Sequence, residues 1–132
     1  MFFSDKIIRF FSIFLLANIS NIARADWTAV GNTVDESNYY YVEKNSIRKV
    51  GNFHYYWRLV DKLEPDEMGY FSIKYYIKAD CETRNIAVLS LNFHKQQMGV
   101  GEAFIYNYTD ENWLDTPPGS VQDFELDVIC TY

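Results

Sequence analysis

Two cysteines and two histidines are the side chains of this chain best suited to chemistry. Cys81 and Cys130 are its only thiols, and behind an export signal such a pair favours a disulfide over a reduced catalytic cysteine. On the chain-entropy model, closing a loop of roughly 50 residues stabilises a fold by about 4 kcal/mol. We therefore predict a structural Cys81–Cys130 bond that ties the C-terminus to the middle of the chain.

The histidines give a weaker signal. His54 and His94 fall on the polar parity of neighbouring predicted strands, without a third ligand at the spacing of a zinc motif. Exposed histidines on a solvated sheet face are the commoner case. The chain also lacks the GxSxG, HExxH, CxxC and P-loop motifs, and in an acidic chain carboxylate pairs suited to glycoside hydrolysis arise by chance. We expect no enzymatic activity, metal site or cofactor.

The first 25 residues have the pattern of a cleavable signal peptide. Lys6 and Arg9 precede the apolar run 10–17, and Ala23 and Ala25 are small residues at the two positions that a signal peptidase reads. We therefore expect cleavage before Asp26. The alternative is a membrane anchor, but the apolar run is far shorter than the roughly 20 residues of a span. No cysteine near the cleavage point can carry a lipid. We expect an exported protein, periplasmic, secreted or at the cell surface, that is not a lipoprotein and whose mature chain has no transmembrane span.

Residues 26–132 are enough for one domain with one hydrophobic core. The net charge of the chain is −6, and a negative surface repels phosphate backbones, so a nucleic-acid partner is not expected. All 11 tyrosines and all three tryptophans lie in this domain. Aromatic side chains favour strands and require burial, so the composition indicates a sheet-rich protein.

Alternating segments separated by turn residues predict an antiparallel meander of six to seven strands. The predicted strands are 27–33, 39–43, 46–50, 53–63, 70–80, 85–93 and 102–108. Ser120 has the character of a helix N-cap after a Pro-Pro-Gly turn, and apolar residues at helical spacing follow it. Residues 128–130 fit a strand equally well. We predict an α+β fold in which this C-terminal helix packs on one face of the sheet.

Side-chain alternation assigns the two faces of the predicted sheet. The apolar parity, predicted to face the core, comprises Phe53, Tyr55, Trp57 and Leu59, then Phe71, Ile73, Tyr75, Ile77 and Ala79, then Ala87, Leu89, Leu91 and Phe93. Cys81 continues the parity of Ala79. We therefore expect the helix and its disulfide on that side.

The opposite parity is rich in tyrosine and basic residues, which binding surfaces favour. Its candidate binding residues are Tyr56, Arg58, Lys74, Tyr76 and Lys78. We predict that this face binds a protein partner or a second copy of the chain. An ordinary solvated sheet face with cross-strand tyrosine pairs is one alternative. The acidic loops around Asp66 and Asp110 are another place where a partner could bind.

An ordered set of motifs resembles the surface-adhesin protein E family of Gram-negative bacteria. The set comprises Tyr40-Tyr41-Val42-Glu43, Ser46-Ile47-Arg48, the strand with Trp57, Asp80-Cys81, Trp113 before Pro118-Gly119-Ser120, and Val128-Ile129-Cys130. The resemblance spans Trp27 to Cys130. It implies an antiparallel sheet, a C-terminal helix, a Cys81–Cys130 disulfide, a homodimer and adhesion to host extracellular-matrix or serum proteins. The alternative function is a periplasmic structural or inhibitory protein that binds an envelope partner.

Overall fold

The computed structural model describes residues 25–132, so nearly all of the predicted signal peptide lies outside the described residues. Eight strands and one α-helix follow one another in this part of the chain. They are β1 (Trp27–Asn32), β2 (Asn38–Glu43), β3 (Arg48–Val50), β4 (Phe53–Lys62), β5 (Ser72–Asp80), β6 (Asn85–His94), β7 (Ala103–Asn107), β8 (Trp113–Asp115) and α1 (Val121–Ile129). The predicted α+β class is confirmed, and the short β8 adds a strand that alternation did not reveal.

The strands form one antiparallel sheet in the order β1-β2-β4-β5-β6-β7. The short β3 pairs with the beginning of β4, and β8 pairs with the beginning of β6. Most neighbours in the sheet are thus neighbours in the sequence, as the predicted meander requires. The three central strands, β4 to β6, are the longest, and they provide the surface on which the other parts of the fold pack.

The hydrophobic core lies between α1 and one face of the sheet, which we call the helix face. Its fully or nearly buried members are Val42, Tyr56, Ile77, Ala79, Ile86, Leu126 and Ile129. The helix begins as predicted, because the Ser120 hydroxyl accepts a hydrogen bond from the Asp123 amide at 3.1 Å. Its last turn is tied to the sheet by the Cys81–Cys130 disulfide, which spans 49 residues of sequence. The predicted disulfide and the predicted side of Cys81 are confirmed.

The predicted core parity is wrong for β4. Tyr56 is fully buried and Arg58 is only 5% exposed on the helix face, whereas Tyr55 and Trp57 lie on the opposite face. Aromatic residues occupy both parities of β4, so hydrophobicity alone did not distinguish the faces. The helix supplies a buried carboxylate, Glu125, which selects the parity that carries Arg58.

The predicted parity of β6 is wrong at its beginning. A register shift lies beside Tyr76 and Ile77, where β5 pairs with β6, and such a bulge reverses the alternation of the strand that holds the extra residue. Ile86 pairs with Ala79 on the helix face, so Ala87 points to the other face. Leu91 and Phe93, beyond the bulge, lie on the helix face as predicted, because they pair with Tyr75 and Ile73.

Candidate binding surface on the open sheet face

The face of the sheet opposite α1, here called the open face, carries a band of aromatic and basic residues. Its members are Trp27, Phe53, Tyr55, Trp57, Tyr76 and Trp113, with Arg48, Lys74 and Lys78 between or beside them. Most of these side chains are half-buried, and Trp113 is 39% exposed. The band therefore presents aromatic surface to solvent on the side of the sheet that the helix does not cover.

The aromatic rings of the open face pack against one another across the strands. The ring centroids of Trp57 and Tyr76, which are paired on β4 and β5, lie 4.9 Å apart. Tyr55 lies 6.2 Å from Tyr76, and Phe53 lies 5.9 Å from Trp113. Rings at these separations attract one another and fix one another's orientation. The band is therefore ordered before any partner binds.

Two of the basic residues of the open face, Arg48 and Lys78, lie against these rings. The Lys78 ammonium is 4.4 Å from the centroid of Phe53 and donates a hydrogen bond to Glu111 at 2.9 Å. That hydrogen bond raises the pKa of Lys78. The Arg48 guanidinium lies 5.6 Å from the centroid of Tyr55. Cation–π contacts of this kind hold positive charge at an aromatic surface, and Glu111 balances the charge of Lys78 there.

Only three of the five predicted binding residues lie on this face. Lys74, Tyr76 and Lys78 are together on β5, whereas Tyr56 and Arg58 are buried beneath α1. The prediction that Tyr56 and Arg58 belong to an exposed binding face is therefore wrong, for the reason given for β4.

Tyr56 and Arg58 instead form a buried cluster with Glu125 of α1. Arg58 donates to both Glu125 carboxylate oxygens, at 2.7 and 2.5 Å, and the Tyr56 hydroxyl donates at 2.8 Å. Burial raises the pKa of Tyr56, and the charge of Glu125 raises it further. Burial acts to lower the pKa of Arg58, but the charge and hydrogen bonds of Glu125 outweigh burial and raise it. The cluster docks the helix on the sheet.

The two histidines are buried, which corrects the prediction that they lie on a solvated face. His54 lies on the helix face, where Nδ1 is 3.3 Å from Cys81 Sγ and Nε2 is 3.1 Å from the carbonyl oxygen of Tyr132. His94 lies on the other face and is 3% exposed, and burial lowers its pKa. Within residues 25–132, no three His, Cys, Asp or Glu side chains are grouped so as to hold a metal ion.

The open face contains a small cleft of about 90 Å³. It is lined by Ala25, Trp27, Glu43, Trp57, Lys74 and Asn92. The sequence analysis missed this grouping, because β1 and β6 come together only through the three strands between them. A larger groove between β1 and the beginning of α1 has a lining without ionisable side chains, so the cleft is the more polar of the two.

The acidic loop at Asp66 has a structural role. The Asp66 carboxylate accepts hydrogen bonds from the backbone amides of Met68 and Tyr70 at 3.0 and 2.9 Å. These bonds hold the turn between β4 and β5. The Asp66 carboxylate thus already has hydrogen-bond donors within the chain.

Sheet, helix and disulfide together define a small α+β module closed by one disulfide. The model of the surface-adhesin protein E family matches residues 27–131, so the chain belongs to that family. No curated protein matches the chain.

Three solved structures of Haemophilus influenzae protein E are similar in fold. The selenomethionine form has a TM-score of 0.61 at 15% identity and covers 82% of this chain and 88% of its own. Crystal form II has a TM-score of 0.58 at 16% identity, covering 81% and 97%. The protein from a non-typeable strain has a TM-score of 0.59 at 14% identity, covering 82% and 77%. At these identities the likeness shows the fold alone.

Family membership supports an adhesin-like role and suggests a non-enzymatic, exported protein. In the part of the chain that the structure describes, no helix has the length and apolar character needed to cross a membrane.

Proposed function

We propose that the chain is an exported, non-enzymatic binding module that engages a protein partner through the open face. The observation that carries this proposal is the ordered aromatic band around Trp57 and Tyr76 with Lys74 and Lys78 beside it. Aromatic residues at the centre of an interface contribute most of its binding energy. The opposite face holds the helix, so binding and folding use different sides of the sheet.

The family suggests the class of partner. A surface-adhesin module is suited to a host extracellular-matrix or serum protein. The alternative is a bacterial envelope protein, bound by a periplasmic structural or inhibitory form of the same module. Both kinds of partner would bind the open face. The location of the protein in the cell distinguishes the two alternatives.

The binding test uses the exported, purified protein against immobilised matrix and serum proteins. The double variant Tyr76→Ser with Lys78→Gln is expected to bind at least tenfold more weakly, because it removes ring surface and charge from the centre of the band. Phe124→Ser is the matched control, since Phe124 is 56% exposed on α1. Equal binding by the double variant and the wild type would overturn the proposed surface.

The location test uses intact cells treated with protease. Digestion without opening the outer membrane supports a partner outside the cell. Protection until the outer membrane is opened supports an envelope partner instead. A periplasmic marker protein that remains intact in the same sample is the control.

We also propose that a homodimer forms through β7. This strand lies at one edge of the sheet, and Phe104 and Ile105 are 61% and 57% exposed on its two sides. An edge strand has unpaired backbone donors and acceptors that can pair with a second strand. Two copies of β7 aligned antiparallel would bury both apolar sides.

A further inference from the structure

A second apolar concavity, here called the aromatic pocket, lies on the helix face of the sheet at β6 and β7. Its volume is about 360 Å³, and it is lined by Asp66, Met68, Tyr70, Phe93 and Phe104. Phe93 and Phe104 are paired on β6 and β7, and the other three residues belong to the connection between β4 and β5. None of the lining residues belongs to α1. The aromatic pocket is therefore separate both from the core beneath the helix and from the open face.

Three aromatic rings lie in a row in this pocket. The ring centroids of Tyr70 and Phe93 are 5.3 Å apart, and those of Phe93 and Phe104 are 6.2 Å apart. Phe104 is 61% exposed, and Met68 beside it is 71% exposed. Contiguous exposed apolar surface commonly marks an interaction site, and the flexible methionine side chain adapts to ligands of different shape. The aromatic pocket is thus suited to an apolar side chain from a ligand.

The loops beside the aromatic pocket are acidic. The connections 63–71 and 95–102 contain Glu64, Asp66, Glu67 and Glu102, against Lys95 as their one basic residue. None of these four carboxylates is in an ion pair found within residues 25–132. Asp66 holds its turn through Oδ1, which leaves Oδ2 as an acceptor for a ligand. The surroundings of the pocket therefore favour a ligand with positive charge.

Lys95 shows that a cation is stable at this place. Its ammonium group lies 4.3 Å from the ring centroid of Tyr70 and donates a hydrogen bond to the carbonyl oxygen of Met68. The electron-rich face of an aromatic ring attracts such a cation. The single charge of Lys95 does not balance the four carboxylates, so the loops remain negative with Lys95 in place.

We propose that the aromatic pocket binds a short cationic segment of polypeptide. An apolar side chain of the segment packs between Met68 and Phe104, and basic residues next to it pair with Asp66 and Glu67. The inference goes beyond the proposed protein-binding function, because the pocket is on the opposite face of the sheet and takes a flexible segment. Phe104 also lies on the edge strand proposed as the dimer contact, so the segment and a second copy of the chain compete for it.

The test is a titration of a fluorescently labelled peptide with the purified protein, followed by anisotropy. The peptide has two central leucines between flanking lysines. We expect saturable binding of one peptide per chain that weakens as salt is added, because salt screens the charges. Peptides with serines in place of the leucines, or glutamates in place of the lysines, should each bind at least tenfold more weakly.

Two matched pairs of variants locate the site. Phe104→Ser is expected to weaken peptide binding at least tenfold, whereas Phe124→Ser, at a similarly exposed phenylalanine of α1, should leave it unchanged. Glu67→Gln is expected to weaken it about threefold, as an exposed ion pair would. Glu82→Gln, at an exposed glutamate in the turn between β5 and β6, should leave it unchanged. All four positions are exposed, so the variants are expected to fold.

Absence of peptide binding would overturn the proposal, and so would an equal loss in both members of either pair, which indicates non-specific attraction to an acidic protein. If Phe104→Ser changes only the sedimentation of the protein, a second copy occupies the pocket and the peptide site is rejected. The open-face variant Tyr76→Ser with Lys78→Gln should bind the peptide as the wild type does. Failure of the peptide site is therefore distinguishable from failure of the protein-binding function.

Discussion

Glu125 holds the most consequential single position on the helix face. It accepts both guanidinium hydrogen bonds of Arg58, and the side chains of this pair are 1% and 6% exposed. Removing one partner of a buried ion pair leaves the other charge desolvated and unpaired. Removing one of the two charges therefore costs more stability than replacing both residues with apolar ones.

Glu125→Gln is therefore expected to lower the free energy of unfolding by about 3–5 kcal/mol. The double variant Arg58→Met with Glu125→Leu should recover most of that loss, since it leaves no buried charge. Denaturant unfolding of the three proteins measures both effects. Equal destabilisation of the single and double variants would show that the charge pair is not the cause.

His94 makes stability depend on pH. Burial lowers the pKa of this histidine, and the charge of Lys74 lowers it further, so the folded protein keeps the ring neutral. The unfolded chain, with a histidine pKa near 6.5, binds the proton first as the pH falls. The contribution of His94 to stability is therefore present above about pH 6.5 and is lost towards the lower pKa of the folded state.

His94→Gln is expected to reduce the loss of stability between pH 7.5 and pH 5. Thermal midpoints measured across this range for the variant and the wild type provide the test. A slope identical in the two proteins would argue against His94 as the titrating group.

At the scale of elements, α1 depends on its attachments. A helix of nine residues is too short to be stable alone in water. Its N-cap, the buried cluster and the disulfide each fix a different part of it. The disulfide acts mainly on the unfolded chain, which it prevents from separating the C-terminus from β5.

Replacing Cys81 and Cys130 with serine is expected to lower the free energy of unfolding by about 4 kcal/mol, from the loop-closure model. Unfolding with and without reductant measures this, since reductant should destabilise the wild type and leave the variant unchanged. A wild type insensitive to reductant under unfolding conditions would contradict the expectation.

The sequence predicts the elements better than it predicts their faces. Turn residues and the Ser120 cap locate the strands and the helix, because those signals are local. Which side chains of β4 face the helix depends on the Arg58–Glu125 pair, and that pair joins residues far apart in sequence. The bulge beside Tyr76 has no local signal, and it reverses the beginning of β6. The three residues of β8 are too few to show alternation.

The candidate binding surface is predictable only in part for the same reason. Lys74, Tyr76 and Lys78 share one strand, so alternation alone places them together. The cleft joins Trp27 to Asn92 across five strands, and its grouping depends on the complete order of the sheet.

At the scale of the whole molecule, the β7 edge leads to a prediction about assembly. Ile105→Lys is expected to shift the protein towards the monomer, because a charge on an edge strand opposes strand pairing. Sedimentation velocity over a range of concentrations measures the change. Val50→Lys is the control, since Val50 is 51% exposed on β3. If neither variant differs from the wild type, β7 is not the dimer contact.

The separation of the two sheet faces has a consequence for diversification. Helix, disulfide and ion pair all lie on one side, so substitutions of exposed residues on the other side leave these three determinants of stability untouched. Descendants of one ancestral chain can therefore acquire new recognition properties by drift on a single surface while retaining the same architecture.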